Sequence, residues 1–195
     1  MKRFIILSTL VLLFAGCKNS IKTKQYNFPP VEWTIAVPED FVPMNTSEIK
    51  AQNEKGLKVI EKAMDTAIEI NPTRTLISLQ KDKLNNFSAT ITSFDPKTDG
   101  SWIDVNEGLK AIIYQTFTTQ MPGVVVDTSS SVETIDGLEF QVFRSKLTYP
   151  NKMVMNSFLY SKLYKGYDFG ISMAYVDEKA GKELKAILAS SVFKK

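Results

Sequence analysis

Histidine is absent from the 195 residues, and cysteine occurs once. Without an imidazole the chain cannot assemble a Ser-His-Asp or Cys-His nucleophile, a histidine zinc site or a histidine-ligated haem. One cysteine cannot close an internal disulfide, so the fold rests on its apolar core even where an oxidising compartment permits bridges. Charge of one sign is also lacking: 24 basic residues stand against 21 acidic ones, interspersed along the chain. That balance sets up no strong field for nucleic acid, and no stretch resembles a nucleic-acid motif. The apolar run FIILSTLVLLF, residues 4–14, falls short of the ~20 residues that span a bilayer.

What is present at the start of the chain is ordered. Lys2 and Arg3 precede that run, and the small residues Ala15 and Gly16 follow it, directly before Cys17. Positive residues, a short apolar region and a small pair are the layout of a secretory signal. The stretch Leu13-Phe14-Ala15-Gly16-Cys17 resembles the lipobox of bacterial lipoproteins, with phenylalanine where the pattern prefers leucine. The resemblance implies cleavage between Gly16 and Cys17 and a diacylglyceryl group on the Cys17 thiol. It further implies an anchor of two or three acyl chains, enough for stable attachment where one chain is marginal. The membrane is then a partner through the lipid on Cys17. No acidic cluster of the kind seen in surface-export signals follows Cys17, so the expected location is the periplasmic face of the outer membrane. Loss of Lys2 and Arg3 leaves 22 basic residues against 21 acidic, a formal net charge of +1 in place of +3.

Three segments follow from this reading: a signal peptide at 1–16, a lipidated tether at 17–30 and one globular domain at 31–195. The tether, KNSIKTKQYNFPP after Cys17, holds three lysines and no acid and ends in Pro-Pro. Beyond it, EWTIAV (32–37) predicts a strand ended by Pro38. Thr46 or Ser47 can cap a helix running to about Ile70, with Leu57, Ile60, Met64, Ala67 and Ile68 as its apolar stripe. Strands are expected at 74–80 and 87–94, then a loop at 95–100. A second helix headed by Asp104 carries Val105, Leu109, Ile112, Ile113 and Phe117 on one buried face, with Glu107 completing a capping box. Four more strands, 124–135, 138–149, 153–164 and 167–176, are joined by Asp136-Gly137, Tyr149-Pro150-Asn151-Lys152 and Lys165-Gly166. In the last strand Tyr167, Phe169, Ile171, Met173 and Tyr175 share one face. Gly170, Ser172 and Ala174 take the other, where a helix could approach closely. A third helix, 179–192, repeats the apolar stripe with Ala180, Leu184, Ile187, Leu188 and Val192.

Consecutive hairpins with helices at the start, middle and end predict the α+β class: one antiparallel sheet flanked by helices. The order of elements, with WTIAVPEDF at 33–41 and LKAILASSVF at 184–193, resembles the PsbP-like fold. That α/β/α sandwich is named after an extrinsic photosystem subunit and shared with a Ran-binding import factor. The resemblance implies action by binding or assembly and carries over no catalytic residue.

Four patterns invite chemistry. Ser47-Glu48-Ile49-Lys50 matches the S-x-x-K spacing of penicillin-binding proteins, but K-T-G and S-D-N companions are missing, so Ser47 reads as a helix cap. Asp95-Pro96-Lys97-Thr98-Asp99-Gly100 begins like a calcium loop, yet Lys97 and Asn106 stand where two ligands should be, and it reads as a turn. Met153, Met155 and Met173 on neighbouring strands suit Cu(I) but serve equally as core filler. Trp33 and Trp102 could stack on a sugar or peptide, though each sits at an element start where packing is the commoner role. No catalytic, cofactor or metal residue is assigned. The expected function is a non-enzymatic, lipid-anchored envelope module that binds a protein or small ligand. The alternatives are an enzyme using carboxylate, Ser or Lys chemistry, and a carrier of a lipid or other apolar molecule. The carrier requires open space between sheet and helices.

Overall fold

The computed structural model describes residues 22–64 and 73–194. The signal peptide, Cys17 and the far end of the first helix lie outside the described residues. Seven antiparallel strands form the main sheet in the order β3-β4-β5-β9-β8-β7-β6. They are β3 (Val42–Pro43), β4 (Thr73–Asp82), β5 (Asn85–Ser93), β6 (Val125–Ile135), β7 (Leu138–Thr148), β8 (Val154–Tyr164) and β9 (Tyr167–Tyr175). The β6–β7 and β8–β9 hairpins turn on Asp136-Gly137 and Lys165-Gly166. All four residues have positive φ (45° and 77°, 51° and 78°), the twist that matches two right-handed strands.

The fold class holds as α+β. The strand expected at 32–37, β2 (Trp33–Pro38), sits in a second, three-stranded sheet between β1 (Thr23–Phe28) and β10 (Val192–Phe193). Two sequence boundaries are corrected here. Residues 23–28, read as tether, form an edge strand paired residue by residue with β2 from Thr23↔Pro38 to Phe28↔Trp33. They hid in the sequence because an edge strand can stay polar on its open side, and of these six only Phe28 is buried. The last helix, α4 (Glu178–Ala189), ends before Val192. Phe193 leaves the helical period to pair with Trp33 and enter the core, while Val192 points outward at 56% exposure.

One face of the main sheet carries the core. Ile77, Leu79, Phe87, Phe169, Ile171 and Met173 are buried beneath α4 and the small sheet. At its centre Trp33 is fully buried, stacked on Phe28 at 4.9 Å and edge-on to Phe169 at 5.3 Å. Burying each such ring is worth roughly 1.5–3 kcal/mol. Gly181 brings α4 onto the Tyr175 ring so closely that a Cβ there would lie 2.6 Å from it. Asp177 caps α4 by accepting the Ala180 N–H at 2.8 Å.

On the opposite face lie α1 (Thr46–Met64) and α3 (Trp102–Gln120), in contact with each other. Their caps differ from the expected ones. Asn45 heads α1 in a reciprocal box, accepting the Glu48 N–H at 2.9 Å while Glu48 accepts the Asn45 N–H at 3.0 Å. Ser101 caps α3 through the Asp104 N–H, so that helix begins two residues before Asp104. The segment at 96–99, expected as loop, is a single helical turn, α2 (Pro96–Asp99), capped by Asp95.

Candidate functional site

The two faces of the main sheet differ in side-chain size, and this difference creates the site. Across the helix-facing side the register aligns rows of short residues. Thr75, Thr90, Gly170 and Ser161 form one, and Ser78, Ser88 and Ser172 another, which continues into the larger Leu159 and Phe143. Such side chains cannot reach the helices across the spacing between layers. The expected close approach of a helix to Gly170 does not occur: a Cβ there would meet only Thr90 at 3.4 Å and Leu159 at 3.9 Å, both from neighbouring strands.

Between the layers run two adjoining cavities of about 590 and 760 Å³, both bordered by Ile60, Thr73 and Thr90. Their volumes lie within the ~300–1,000 Å³ usual for small-molecule sites. The roof is apolar. Helix α3 supplies Val105, Leu109 and Ile112, and α1 supplies Ile49, Leu57 and Ile60. Here the sequence expectation of one buried α3 face is corrected. Val105 is 43% exposed, and Leu109, Ile112, Ile113 and Phe117 are half-buried, because the small residues opposite leave them uncovered. The α3 residues that do become buried are polar: Asn106, Lys110 and Thr116, with the Lys110 ammonium reaching Glu107 at 2.7 Å.

One ionisable side chain stands in the depth of the smaller cavity. Asp168 follows the small-residue face, in register with Thr92 and Leu163, and its Oδ1 accepts the Trp102 indole N–H at 2.9 Å. Burial pushes its carboxyl above the ordinary carboxylate range, only partly offset by the indole hydrogen bond. Asp99 borders the same cavity but is committed to its own turn, its Oδ2 accepting the Asp95 N–H at 2.8 Å and its Oδ1 the Thr98 hydroxyl at 3.3 Å.

The patterns noted in the sequence fall elsewhere. Ser47 is exposed and donates to Asn45 Oδ1 at 2.5 Å, while Lys50 pairs with Glu54 at 3.9 Å, so no nucleophile–base pair forms. Asp95 and Asp99 hold the α2 turn. Met173 pairs across strands with Phe158 on the core face, whereas Met155 pairs with Leu147 on the other, so the two thioethers point away from each other. Trp33 is core. Of these patterns, Trp102 reaches the site as the donor to Asp168, and Asp99 borders it.

No family model matches the chain, and no curated protein matches it in sequence. Its backbone does have solved counterparts. The solution structure of cyanobacterial PsbP (CyanoP) from Synechocystis sp. PCC 6803 aligns over 94% of this chain and 99% of its own, with a TM-score of 0.53 at 8% identity. The fold is PsbP-like. At that identity the likeness extends to architecture and carries no residue role. A crystal structure from Bacteroides thetaiotaomicron VPI-5482 aligns over 88% of this chain and 48% of its own, at 10% identity and a TM-score of 0.47. The PsbP-like layers described above, helices α1 and α3 over the sheet and α4 beneath it, are what frame the cleft.

Proposed function

We propose that this protein is a lipid-anchored binding module of the bacterial envelope, held by acylated Cys17, that takes an apolar small molecule between α1, α3 and the small-residue face of its sheet. The observation that carries the reading is the pair of half-covered apolar helix stripes over a floor of Thr, Ser and Gly. Packed interiors rarely leave such space, and apolar side chains facing a cavity of this size gain most by covering it with a ligand. Of the functions expected from the sequence, the carrier is the one that asks for this space. The enzyme reading asks for at least two ionisable groups free to act, and Asp99 spends its oxygens on its own turn.

Native mass spectrometry of the protein extracted from its host membranes tests anchor and cleft together. The expected chain starts at Cys17, carries acyl mass that Cys17→Ser lacks, and retains a further non-covalent adduct. Thr90 floors both cavities, so Thr90→Phe should strip that adduct by ~10-fold or more while leaving the melting temperature within a few degrees. An adduct that persists in Thr90→Phe would place the ligand elsewhere and sink the reading.

A further inference from the structure

Resting on the cleft reading above, we propose that the ligand is an amphiphile with a cationic head, an alkyl amine in its simplest form, whose ammonium meets Asp168 while its tail lies beneath Ile60, Leu109 and Ile112. The polar chemistry of the cleft is one-sided. Asp168 and Asp99 border the smaller cavity, and among its described lining residues there is no lysine or arginine. The nearest cation on the lining of the larger cavity, Lys50, is paired with Glu54 on the exposed side of α1. A carboxylate head would therefore enter against two like charges, with no counter-ion to meet it.

Asp168 is also held in place to receive a cation. Its row neighbour Thr92 is in register on β5, and the Trp102 indole fixes one carboxylate oxygen from above, at the first residue of α3. The apolar side chains of Val105, Leu109 and Ile112 line the approach to Asp168, and partial burial strengthens an ion pair there over one on the open surface. Burial also raises the affinity of Asp168 for a proton, and a bound ammonium would offset that cost of burying the anion. Apolar tail and charged head together would occupy both halves of the cleft.

The test compares dodecylamine, dodecanol and dodecanoate on the full-length protein in a nonionic detergent at about pH 8, where the amine carries its charge. Bound fractions are read by native mass spectrometry, and the amine-to-carboxylate ratio is compared between wild type and variants, so that partitioning into micelles cancels. The wild type should favour the amine by ~10-fold or more, and Asp168→Asn should bring the ratio near one with dodecanol binding unchanged. Thr92→Lys, which sets an ammonium beside Asp168, should turn the preference toward dodecanoate even if Asp168→Asn folds poorly. A ratio that neither variant moves, with dodecanol still bound, overturns the cationic head and leaves the cleft standing. Failure of all three probes to bind, or binding that Thr90→Phe leaves intact, overturns the cleft itself and this inference with it.

Discussion

Asp168 is a small-face position given to a charge, and its environment fixes the sign of a pH effect. Its folded carboxyl holds its proton more tightly than the unfolded one, because burial disfavours the anion. The protonated form thus adds stability that is present at low pH and is lost as pH rises through the folded value. Asp168→Asn keeps an acceptor for the Trp102 indole and removes the buried charge. It should raise the melting temperature at neutral pH, and the difference from wild type should shrink as the pH falls toward 4, near the unfolded aspartate's value of about 3.9. Paired thermal melts across that range decide it, and an advantage that does not change with pH would show that Asp168 carries no buried charge. In the sequence Asp168 was one acid among 21, and only its position opposite Phe169 and Ile171 marked it. Its partner Trp102 lies 66 residues away, a contact that spacing cannot reveal.

Among elements, α4 and the β6–β9 meander were legible because local signals agreed with tertiary burial. The stripe of α4 and the Asp-Gly and Lys-Gly turns each specify one conformation, and the expected boundaries fall within a few residues of those observed. β1 was not legible: a polar strand whose partner forms one side only looks like a linker. β10 was not legible either, because Val192 continues the helical period of Leu184 and Leu188 until Phe193 breaks it. The α3 stripe was legible as a stripe, but the sequence of a helix does not say whether its partner has side chains long enough to cover it. The close contact of α4 with β9 gives a test at this scale. Gly181→Ala drives a methyl into the buried Tyr175 ring, with contacts at 2.6 to 2.9 Å. Overpacking of this kind should cost about 1–3 kcal/mol, read as a lower denaturant midpoint at unchanged slope. A midpoint equal to wild type would mean that the ring can swing aside at no cost.

Across the whole molecule, the small sheet ties the first and last described strands to β2 and seals the core through aromatic packing. Phe193 lies within 6.2 Å, centroid to centroid, of Trp33, Phe140, Tyr164 and Phe169. Phe193→Ala should cost about 3–5 kcal/mol and lower a single cooperative transition rather than split it, because the cluster belongs to both sheets. Calorimetry showing two separated transitions would mean that the small sheet melts by itself.

The place of Phe193 in the chain also bears on how the protein is made. Trp33 is synthesised early, yet the ring that stacks on it and the strand that pairs with it arrive only at residues 192 and 193. No shorter nascent chain can complete the core, and the pairing between these distant segments is of the slow, non-local kind. Until residue 193 has been made, β2 has a neighbour on one side only and Trp33 lacks one of the rings that pack on it, so completion of the core is a late step.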